Sequence, residues 1–225
     1  GSFKPFVTMC RNMLPFEKTE RNRYMFSQRF LKLHILRILQ LKTFKKADGV
    51  IFLTKFAKKN IKEIIPTIDK KSKIIPHGVN LKYFIKKNKK DYKKKNYIFK
   101  CAYTSTIDFY KHQDKVINAI KNLNNKGIKI EINIIGSEYK PALRQFLKIK
   151  NKIDPGEKII KYRGSLDTNS IRKIYSSCDF LIFASSCENL PNILLEKMAT
   201  GLPIACSKKS PMTDILGKHG VYFDY

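Results

Sequence analysis

The chain has 225 residues, of which 43% are hydrophobic and 12% aromatic, and it carries a formal net charge of +28 at pH 7. This size allows a sizeable core in one large or two small domains, and no run of about 18 apolar residues predicts a membrane-spanning helix. The five cysteines form no C-x-x-C pair, which argues against a disulfide framework or a zinc site and favours buried thiols.

The first 80 residues predict a partial α/β domain. The segment PFVTM, Pro5–Met9, predicts a short buried strand. The stretch Glu20–Phe44 predicts one long helix whose apolar residues cover most of the circumference, which favours packing between layers over lying on a membrane. Ala47–Thr54 predicts a buried strand, and Thr54 is suited to cap the helix that follows. A further short strand ends at Pro76.

Residues 81–96 predict a charged linker between two domains. The run KKNKKDYKKKN, from Lys86 to Asn96, has neither glycine spacing nor an array of stacking aromatics, which is typical of a solvated segment. The net charge of +28 leaves three interpretations open: nucleic-acid binding, attraction to an anionic membrane face, and a compositional bias in which Lys far outnumbers Arg. We favour the bias first and the membrane second, and we expect no nucleic-acid partner.

Residues 97–225 predict a regular alternation of strands and helices. It runs from the strand YIFKCAYT to the short helix PMTDIL, and GVYFDY predicts a closing strand. Near-continuous apolar strands joined by helices indicate a parallel sheet that is covered on both faces. The predicted class is therefore α/β, with domains at 1–80 and 97–225. Because the chain begins without Met and ends without a capping helix, we expect a piece of a longer protein.

The loops at the carboxyl ends of the predicted strands collect polar side chains. Ligands of parallel sheets bind at this edge. The side chains expected there are Lys111, His112, Tyr162, Arg163, Glu188 and Asn192. The ligand should therefore meet cationic, amide and carboxylate groups together.

Glu188 and Glu196 stand eight residues apart, around a predicted helix start near Leu190. Free N–H groups and the positive dipole end at a helix start suit a diphosphate. Carboxylates instead accept hydrogen bonds from hydroxyls, so a nucleotide-sugar, with a diphosphate between two polyols, fits the pair. The structural alternative makes Glu188 a stabilising charge worth about 0.3–1 kcal/mol and Glu196 a solvated helix residue.

The ordered set of motifs resembles that of the retaining glycosyltransferases of family 4, the group 1 glycosyltransferases with the GT-B fold. CENLPNILLEKMATGLPIACS resembles their E-x7-E region, and KIIPHGVNLKYF resembles their interdomain segment. AYTSTIDFYKHQDKVINAIKNL is similar to the start of their donor domain, and ADGVIFLTKFAKKNI to the end of their acceptor domain. The resemblance implies two Rossmann-like domains with parallel sheets, an incomplete N-terminal domain, and a donor domain truncated at its C-terminal end.

The resemblance also implies roles for individual residues. Lys111 would hold the diphosphate and stabilise the leaving nucleotide, and Glu188 would contact the donor sugar, which makes these two the expected catalytic residues. Glu196 would contact the ribose hydroxyls. The expected donor site comprises Thr106, Lys111, Tyr162, Arg163, Gly164, Glu188, Asn189, Leu190, Pro191, Asn192 and Glu196. Such enzymes are usually metal-independent and no D-x-D motif occurs, so we expect no metal and no cofactor besides the donor substrate.

Three departures from the family pattern stand out. Thr106 occupies a position where the family often has arginine, five residues before the phosphate lysine. Pro191 has no N–H, which removes one donor from the helix start, although proline is compatible with that position. The first half of the acceptor domain, with its glycine-rich loop, has no counterpart here. These departures put the transfer activity of this piece alone in doubt.

The expected function is transfer of a sugar from a nucleotide-diphosphate sugar to a glycan or lipid-linked acceptor, with retention of configuration. From the basic charge and from the resemblance to this family, we expect a cytoplasmic location with peripheral contact at the anionic face of the inner membrane. Two alternatives stay open. One is a sugar-nucleotide epimerase or phosphorylase of the same architecture, and the other is a basic nucleic-acid-binding module.

Overall fold

The computed structural model describes residues 3–85 and 96–225. The chain divides into two compact units. The first unit comprises Gly1–Gly78 with the short segment Cys187–Pro191, and the second comprises Val79–Ser186 with Asn192–Tyr225. Of the predicted linker, residues 86–95 lie outside the described part of the chain, whereas Leu81–Tyr83 forms a 3-10 turn of the second unit.

Three parallel strands form the sheet of the first unit, in the order β1-β2-β3. The elements of this unit are β1 (Val7–Cys10), α1 (Lys18–Asn22), α2 (Gln28–Lys46), β2 (Gly49–Phe52), α3 (Lys55–Ile64) and β3 (Ser72–Ile74). Val50 and Phe52, two residues apart on the central strand β2, lie on the same face of the sheet and are buried. Thr54 caps α3 as predicted, because its Oγ1 accepts a hydrogen bond from the Ala57 N–H at 3.1 Å.

The prediction of one long helix over Glu20–Phe44 is wrong in both continuity and packing. The helix is interrupted between α1 and α2. Phe26 adopts a left-handed backbone there, with φ of 63°, and Ser27 caps the start of α2. Leu33 and Phe44 are the buried residues of α2. Its exposed apolar side chains are Leu31, Ile35, Leu36, Ile38 and Leu39. An apolar face of α2 therefore remains uncovered, where the sequence had predicted packing between layers.

The second unit is built on a six-stranded parallel sheet with the order β6-β5-β4-β7-β8-β9. Its strands are β4 (Phe99–Thr104), β5 (Ile130–Ile135), β6 (Ile160–Tyr162), β7 (Phe180–Phe183), β8 (Ile204–Ser207) and β9 (Val221–Phe223). Its helices are α4 (Gln113–Asn125), α5 (Lys140–Ile153), α6 (Thr168–Ser177), α7 (Asn192–Ala199) and α8 (Met212–Leu216). The predicted α/β class with parallel sheets is confirmed.

Helices bury both faces of this sheet. Ile132 and Ile134 of β5 pack in one cluster with Ile117 of α4 and Phe146 of α5. The next residue, Ile135, belongs to the other cluster, together with Tyr175 of α6 and Cys178, which directly follows that helix. Leu181 and Ile182 of β7 likewise lie in the two opposite clusters, and that strand is apolar throughout, whereas β5 still alternates through the partly exposed Glu131 and Asn133. The strand order reverses between β4 and β7, and such a reversal opens a crevice for a ligand at the carboxyl ends of the strands.

All five cysteines are buried free thiols, as predicted. No helix of residues 3–85 and 96–225 is both long and apolar enough to cross a bilayer.

Candidate functional site

Backbone hydrogen bonds join the loops at the carboxyl ends of β4, β5 and β6. The Ile107 N–H donates to the Ser137 carbonyl oxygen at 2.7 Å, and the Gly136 N–H donates to the Gly164 carbonyl oxygen at 2.8 Å. The hydroxyl oxygens of Thr106 and Ser137 are 3.2 Å apart. Two residues of the predicted site, Thr106 and Gly164, are thereby held at the same edge of the sheet.

Lys111 is fixed next to the carboxyl ends of β4 and β7. It ends a 3-10 turn, Phe109–Lys111, and is 6% exposed. The Tyr103 hydroxyl donates a 2.6 Å hydrogen bond to the Lys111 carbonyl oxygen. The ammonium nitrogen lies 4.8 Å from the centroid of the Tyr110 ring and 5.6 Å from that of Phe183. These ring faces attract the cation and orient it beside the crevice.

A side chain at the start of α4 connects this helix to the loop that carries Thr106. His112 adopts a left-handed backbone, with φ of 51°, which turns the chain from the 3-10 turn into α4. The Gln113 Nε2 then donates to the Ser105 hydroxyl and to the Thr106 carbonyl oxygen, each at 2.9 Å. His112 is a candidate from the sequence and Gln113 is not, because the only local signal of Gln113 is its place at a helix start.

Glu196 lies in α7 and is half-buried. Burial raises the pKa of its carboxyl group above the ordinary value. The hydrogen bond with Tyr83 and the charge of Lys197 oppose that rise without cancelling it. A carboxylate in this setting is only partly hydrated, so hydrogen bonds from ligand hydroxyls would compensate for water it has already lost.

Lys197 is fully buried, and no role was predicted for it from the sequence. Its Nζ donates to the carbonyl oxygens of Thr104, at 3.2 Å, and Ile182, at 2.6 Å, near the ends of β4 and β7. It also lies 5.1 Å from the centroid of the Phe183 ring that Lys111 approaches. Both lysine nitrogens therefore lie near the Phe183 ring, and their positive field favours an anionic ligand although Lys197 itself is enclosed. The signal available in the sequence was a lysine beside Glu196 in an otherwise apolar helix.

The end of β6 carries Tyr162 and Arg163. Burial, and then the charge of Glu138, raises the pKa of the Tyr162 hydroxyl. Arg163 is exposed, and its Nε donates to Asn133 Oδ1 at 3.0 Å. Gly164 follows with a left-handed φ of 62°. The Arg163 guanidinium is thus tied to β5 along the sheet.

The segment Cys187–Pro191 belongs to the first unit. Asn189 is 5% exposed and forms two hydrogen bonds there: its Nδ2 donates to the Cys10 carbonyl oxygen at 2.7 Å, and its Oδ1 accepts from the Thr54 hydroxyl at 3.2 Å. Pro191 is buried, and Glu188 and Leu190 are partly exposed. The helix predicted to start near Leu190 is present as α7, which begins two residues later, at Asn192.

The predicted site residues thus fall into two groups. The second unit holds Thr106, Lys111, Tyr162, Arg163, Gly164, Asn192 and Glu196. The first unit holds Glu188, Asn189, Leu190 and Pro191. Among the residues that the structure describes, no group of three His, Cys, Asp or Glu side chains is arranged to hold a metal ion. Within the second unit, the cations suit an anionic group and Glu196 suits hydroxyls.

Residues 99–225 match the family model of the group 1 glycosyl transferases. A search among curated proteins found no match. Among solved structures, the fold is similar to that of WaaG, a glycosyltransferase involved in lipopolysaccharide biosynthesis, with a TM-score of 0.74 and 14% sequence identity over 97% of this chain and 61% of that one. This likeness identifies the fold as that of the GT-B glycosyltransferases.

Two further structures support the same fold. HepE of Anabaena, in complex with UDP and glucose, has a TM-score of 0.70 and 14% identity over 98% of this chain and 58% of that one. The sucrose-phosphate synthase of Thermosynechococcus elongatus has a TM-score of 0.73 and 16% identity over 99% of this chain and 56% of that one. The chain therefore spans less than two thirds of the length of the structures that it matches.

Proposed function

The chain belongs to the group 1 glycosyl transferases, and on that premise we propose that it transfers a sugar from a nucleotide-diphosphate sugar to a glycan or lipid-linked acceptor, with retention of configuration. The observation that carries the proposal is the placement of Lys111, Lys197 and Glu196 in the second unit. Both lysine nitrogens approach the Phe183 ring at the end of β7, and α7 supplies the half-buried carboxyl group.

The proposed chemistry assigns a separate task to each part of the donor. The diphosphate gains negative charge as its bond to the sugar breaks, and Lys111 stabilises that charge with help from the buried Lys197. Glu196 accepts hydrogen bonds from the ribose hydroxyls. The loops around Thr106 and Tyr162–Gly164 border the rest of the nucleotide. Lysines and amide groups take the electrostatic role here, so we propose metal-independent transfer.

UDP is the first nucleotide to test, because HepE is described with UDP and glucose. The experiment measures thermal unfolding with UDP, GDP and ADP, for the wild type, Lys111→Met, Glu196→Ala and the control Lys115→Met, which changes an exposed lysine on α4. Ligand at ten times Kd adds about 1.4 kcal/mol, or roughly 3–5 °C in Tm for a chain of this size. We expect one nucleotide to give that shift in the wild type and in the control.

Lys111→Met should weaken nucleotide binding roughly 10- to 100-fold, as expected for the loss of a hydrogen bond to a charged group. Equal Tm shifts in the wild type, Lys111→Met and Glu196→Ala would show that neither residue belongs to the donor site. Retention is tested separately, from the anomeric configuration of the first product by NMR. Sugar-nucleotide conversion without any acceptor would instead favour the epimerase or phosphorylase alternative.

We also propose peripheral contact with an anionic membrane face at the cytoplasmic side, with α2 as the contacting element. The sequence of α2 contains six Lys and Arg residues and no Asp or Glu. Its exposed apolar side chains include Leu31, Ile35, Ile38 and Leu39. A helix with basic and apolar groups on its exposed side suits the interface of an anionic bilayer.

The test is co-sedimentation with vesicles of phosphatidylglycerol and phosphatidylethanolamine, against vesicles of phosphatidylcholine alone. We expect binding to the anionic vesicles at low salt, loss of binding in the double variant Ile35→Asp/Leu39→Asp, and retention in the control Leu81→Asp, which alters an exposed leucine of the second unit. Equal binding by the double variant and the wild type would exclude α2 as the contact. Tight, steeply salt-dependent binding to DNA or RNA would instead support the nucleic-acid alternative.

A further inference from the structure

Tyr103 is the next-to-last residue of β4 and is fully buried. Its ring belongs to one core cluster with Ile107 and Val116. A tyrosine in such a strand is typical of a core residue, and no role was predicted for it from the sequence. Packing in the core accounts for the ring but not for the hydroxyl group, because a buried hydroxyl needs a hydrogen-bond partner.

The Tyr103 hydroxyl reaches the 3-10 turn that ends at Lys111. It donates a 2.6 Å hydrogen bond to the Lys111 carbonyl oxygen. One residue earlier in the turn, the Tyr110 carbonyl oxygen accepts from the Ser186 N–H at 2.8 Å. Strand β4 and the loop after β7 therefore hold two consecutive carbonyl groups of this turn. Because each carbonyl group fixes a peptide plane, the backbone from which the Lys111 side chain extends has little freedom to move.

Lys197 lies over the face of the same tyrosine ring. Its ammonium nitrogen is 5.0 Å from the centroid of the Tyr103 ring, and it donates to the Thr104 and Ile182 carbonyl oxygens at 3.2 and 2.6 Å. The ring face attracts the cation, and the charge polarises the phenol in a medium of low dielectric, which strengthens its O–H as a donor. The partner of the Lys111 carbonyl is thus itself held by a buried charge.

A second buried ring, that of Phe183, lies near both ammonium groups. Its centroid is 5.6 Å from the Lys111 nitrogen and 5.1 Å from the Lys197 nitrogen. The Tyr110 ring approaches the Lys111 nitrogen to 4.8 Å. Aromatic faces attract a cation without carrying a formal charge of their own. Lys111 is therefore oriented by its surroundings and keeps its charge for an anionic ligand.

We propose that Tyr103 is a positioning residue for the diphosphate, which acts by fixing the peptide group of Lys111 and hence the place of its ammonium group. This inference rests on the proposed function, because that function assigns Lys111 to the diphosphate. A donor that is already in place needs no reorganisation when the ligand binds or when charge develops on it. Tyr103 acts through Lys111, so its loss should be felt through the diphosphate and not through the nucleoside.

The test compares the binding of UDP and of uridine by the wild type, Tyr103→Phe, Lys111→Met and the double variant. The matched control is Tyr222→Phe, which removes another 2.6 Å hydrogen bond from a tyrosine hydroxyl to a backbone carbonyl oxygen of the same unit, that of Gly217. Affinities are measured by NMR titration. If the wild type binds GDP or ADP instead of UDP, that nucleotide and its nucleoside replace the uridine pair.

We expect Tyr103→Phe to weaken UDP binding roughly 3- to 10-fold and to leave uridine binding unchanged, whereas Tyr222→Phe changes neither. In the Lys111→Met background, Tyr103→Phe should have almost no further effect on UDP binding, because the lysine through which it acts has gone. A loss of packing alone would weaken both ligands alike and would add to the effect of Lys111→Met. That result, or unchanged UDP binding in Tyr103→Phe, would overturn the inference.

Amide exchange tests the contact without any ligand. The Lys111 N–H donates to the Asp108 carbonyl oxygen at 3.0 Å within the turn, and its exchange should become roughly 5- to 10-fold faster in Tyr103→Phe. If the wild type binds none of UDP, GDP and ADP, the proposed function fails, and this rate still decides whether Tyr103 fixes the turn. An unchanged rate would contradict the inference.

If Tyr103→Phe does not fold, p-aminophenylalanine at the same position takes its place, since it keeps the shape of the side chain and its N–H is a weaker donor than the phenol. UDP binding should then weaken by a smaller factor, with uridine binding unchanged. Equal UDP binding by this variant and the wild type would count against the proposal.

Discussion

The side-chain amide of Asn189 donates a 2.7 Å hydrogen bond to the carbonyl oxygen of Cys10, a residue 179 positions earlier in the chain. Its Oδ1 accepts from the Thr54 hydroxyl, and the Thr54 oxygen accepts in turn from the Ala57 N–H at the start of α3. One buried amide therefore holds the segment Cys187–Pro191 to the end of β1 and to the cap of α3 within the first unit.

Replacing Asn189 by Ala should destabilise the first unit by about 1–3 kcal/mol, because the buried Cys10 carbonyl and the partly buried Thr54 hydroxyl each lose a partner. Urea unfolding measures the change. The control is Asn60→Ala, whose side chain donates only within its own helix, to the Phe56 carbonyl oxygen. A double-mutant cycle with Thr54→Ala should show coupling between the two positions. Strict additivity of the two changes would contradict the assigned contact.

Replacing Lys197 by Met should destabilise the second unit by about 1–2 kcal/mol, because the Thr104 and Ile182 carbonyl oxygens lose a charged donor while the aliphatic packing is kept. The ammonium group is fully buried, so relief of its desolvation offsets part of the loss. Thermal unfolding, with Lys115→Met as the exposed control, tests this. A more stable Lys197→Met protein would show that desolvation of the lysine outweighs its hydrogen bonds.

Replacing Gly136 by Ala should destabilise the second unit by about 3 kcal/mol or more, because strain and overlap act together. Gly136 has a φ of +147°, and a Cβ there would lie 2.0 Å from the Ser105 carbonyl oxygen, which belongs to rigid backbone. The backbone movement that relieves this overlap would also displace Thr106. Circular dichroism melting measures the effect against Gly156→Ala, where the new Cβ meets only the flexible Lys158 side chain at 3.7 Å. Equal melting of the two variants would contradict this account.

The Asp154 carboxylate should stabilise the fold in a pH-dependent way. Burial raises the pKa of its carboxyl group, but hydrogen bonds from the Ile160, Ile159 and Lys158 N–H groups, with the charge of Lys150, outweigh burial and lower the pKa below its ordinary value. A lowered folded-state pKa stabilises the fold at pH values above the unfolded-state pKa. That stabilisation is lost as pH falls through the folded-state value.

Asp154→Asn should therefore cost about 1–3 kcal/mol at pH 7 and clearly less near pH 3. Urea unfolding at the two pH values measures the difference, and Asp224→Asn, at an exposed position, serves as the control. A cost that is equal at both pH values would show that the charge of the carboxylate is not what stabilises this turn.

Local patterns in the sequence predicted much of the second unit. The run Phe180–Phe183 is too apolar for a half-exposed strand, and the helices between the strands carry one apolar side, so a parallel sheet with two covered faces followed. Thr54 before an amphipathic helix predicted a cap for the same local reason. The spacing of Glu188 and Glu196 indicated a nucleotide-sugar ligand, but it did not identify the groups that surround either carboxylate.

The α/β class, the order of strands and helices, and the loops at the carboxyl ends of the sheet were predictable from local patterns, because these features depend on periodicity over a few residues. The three-dimensional packing was needed to show that α2 starts after Phe26 with an apolar side uncovered, that Lys197 is buried on two strand carbonyls, and that Tyr83 belongs to the core of the second unit. Those outcomes depend on which distant side chains meet when the sheets close. Hydrophobic periodicity alone carries no information about such pairs.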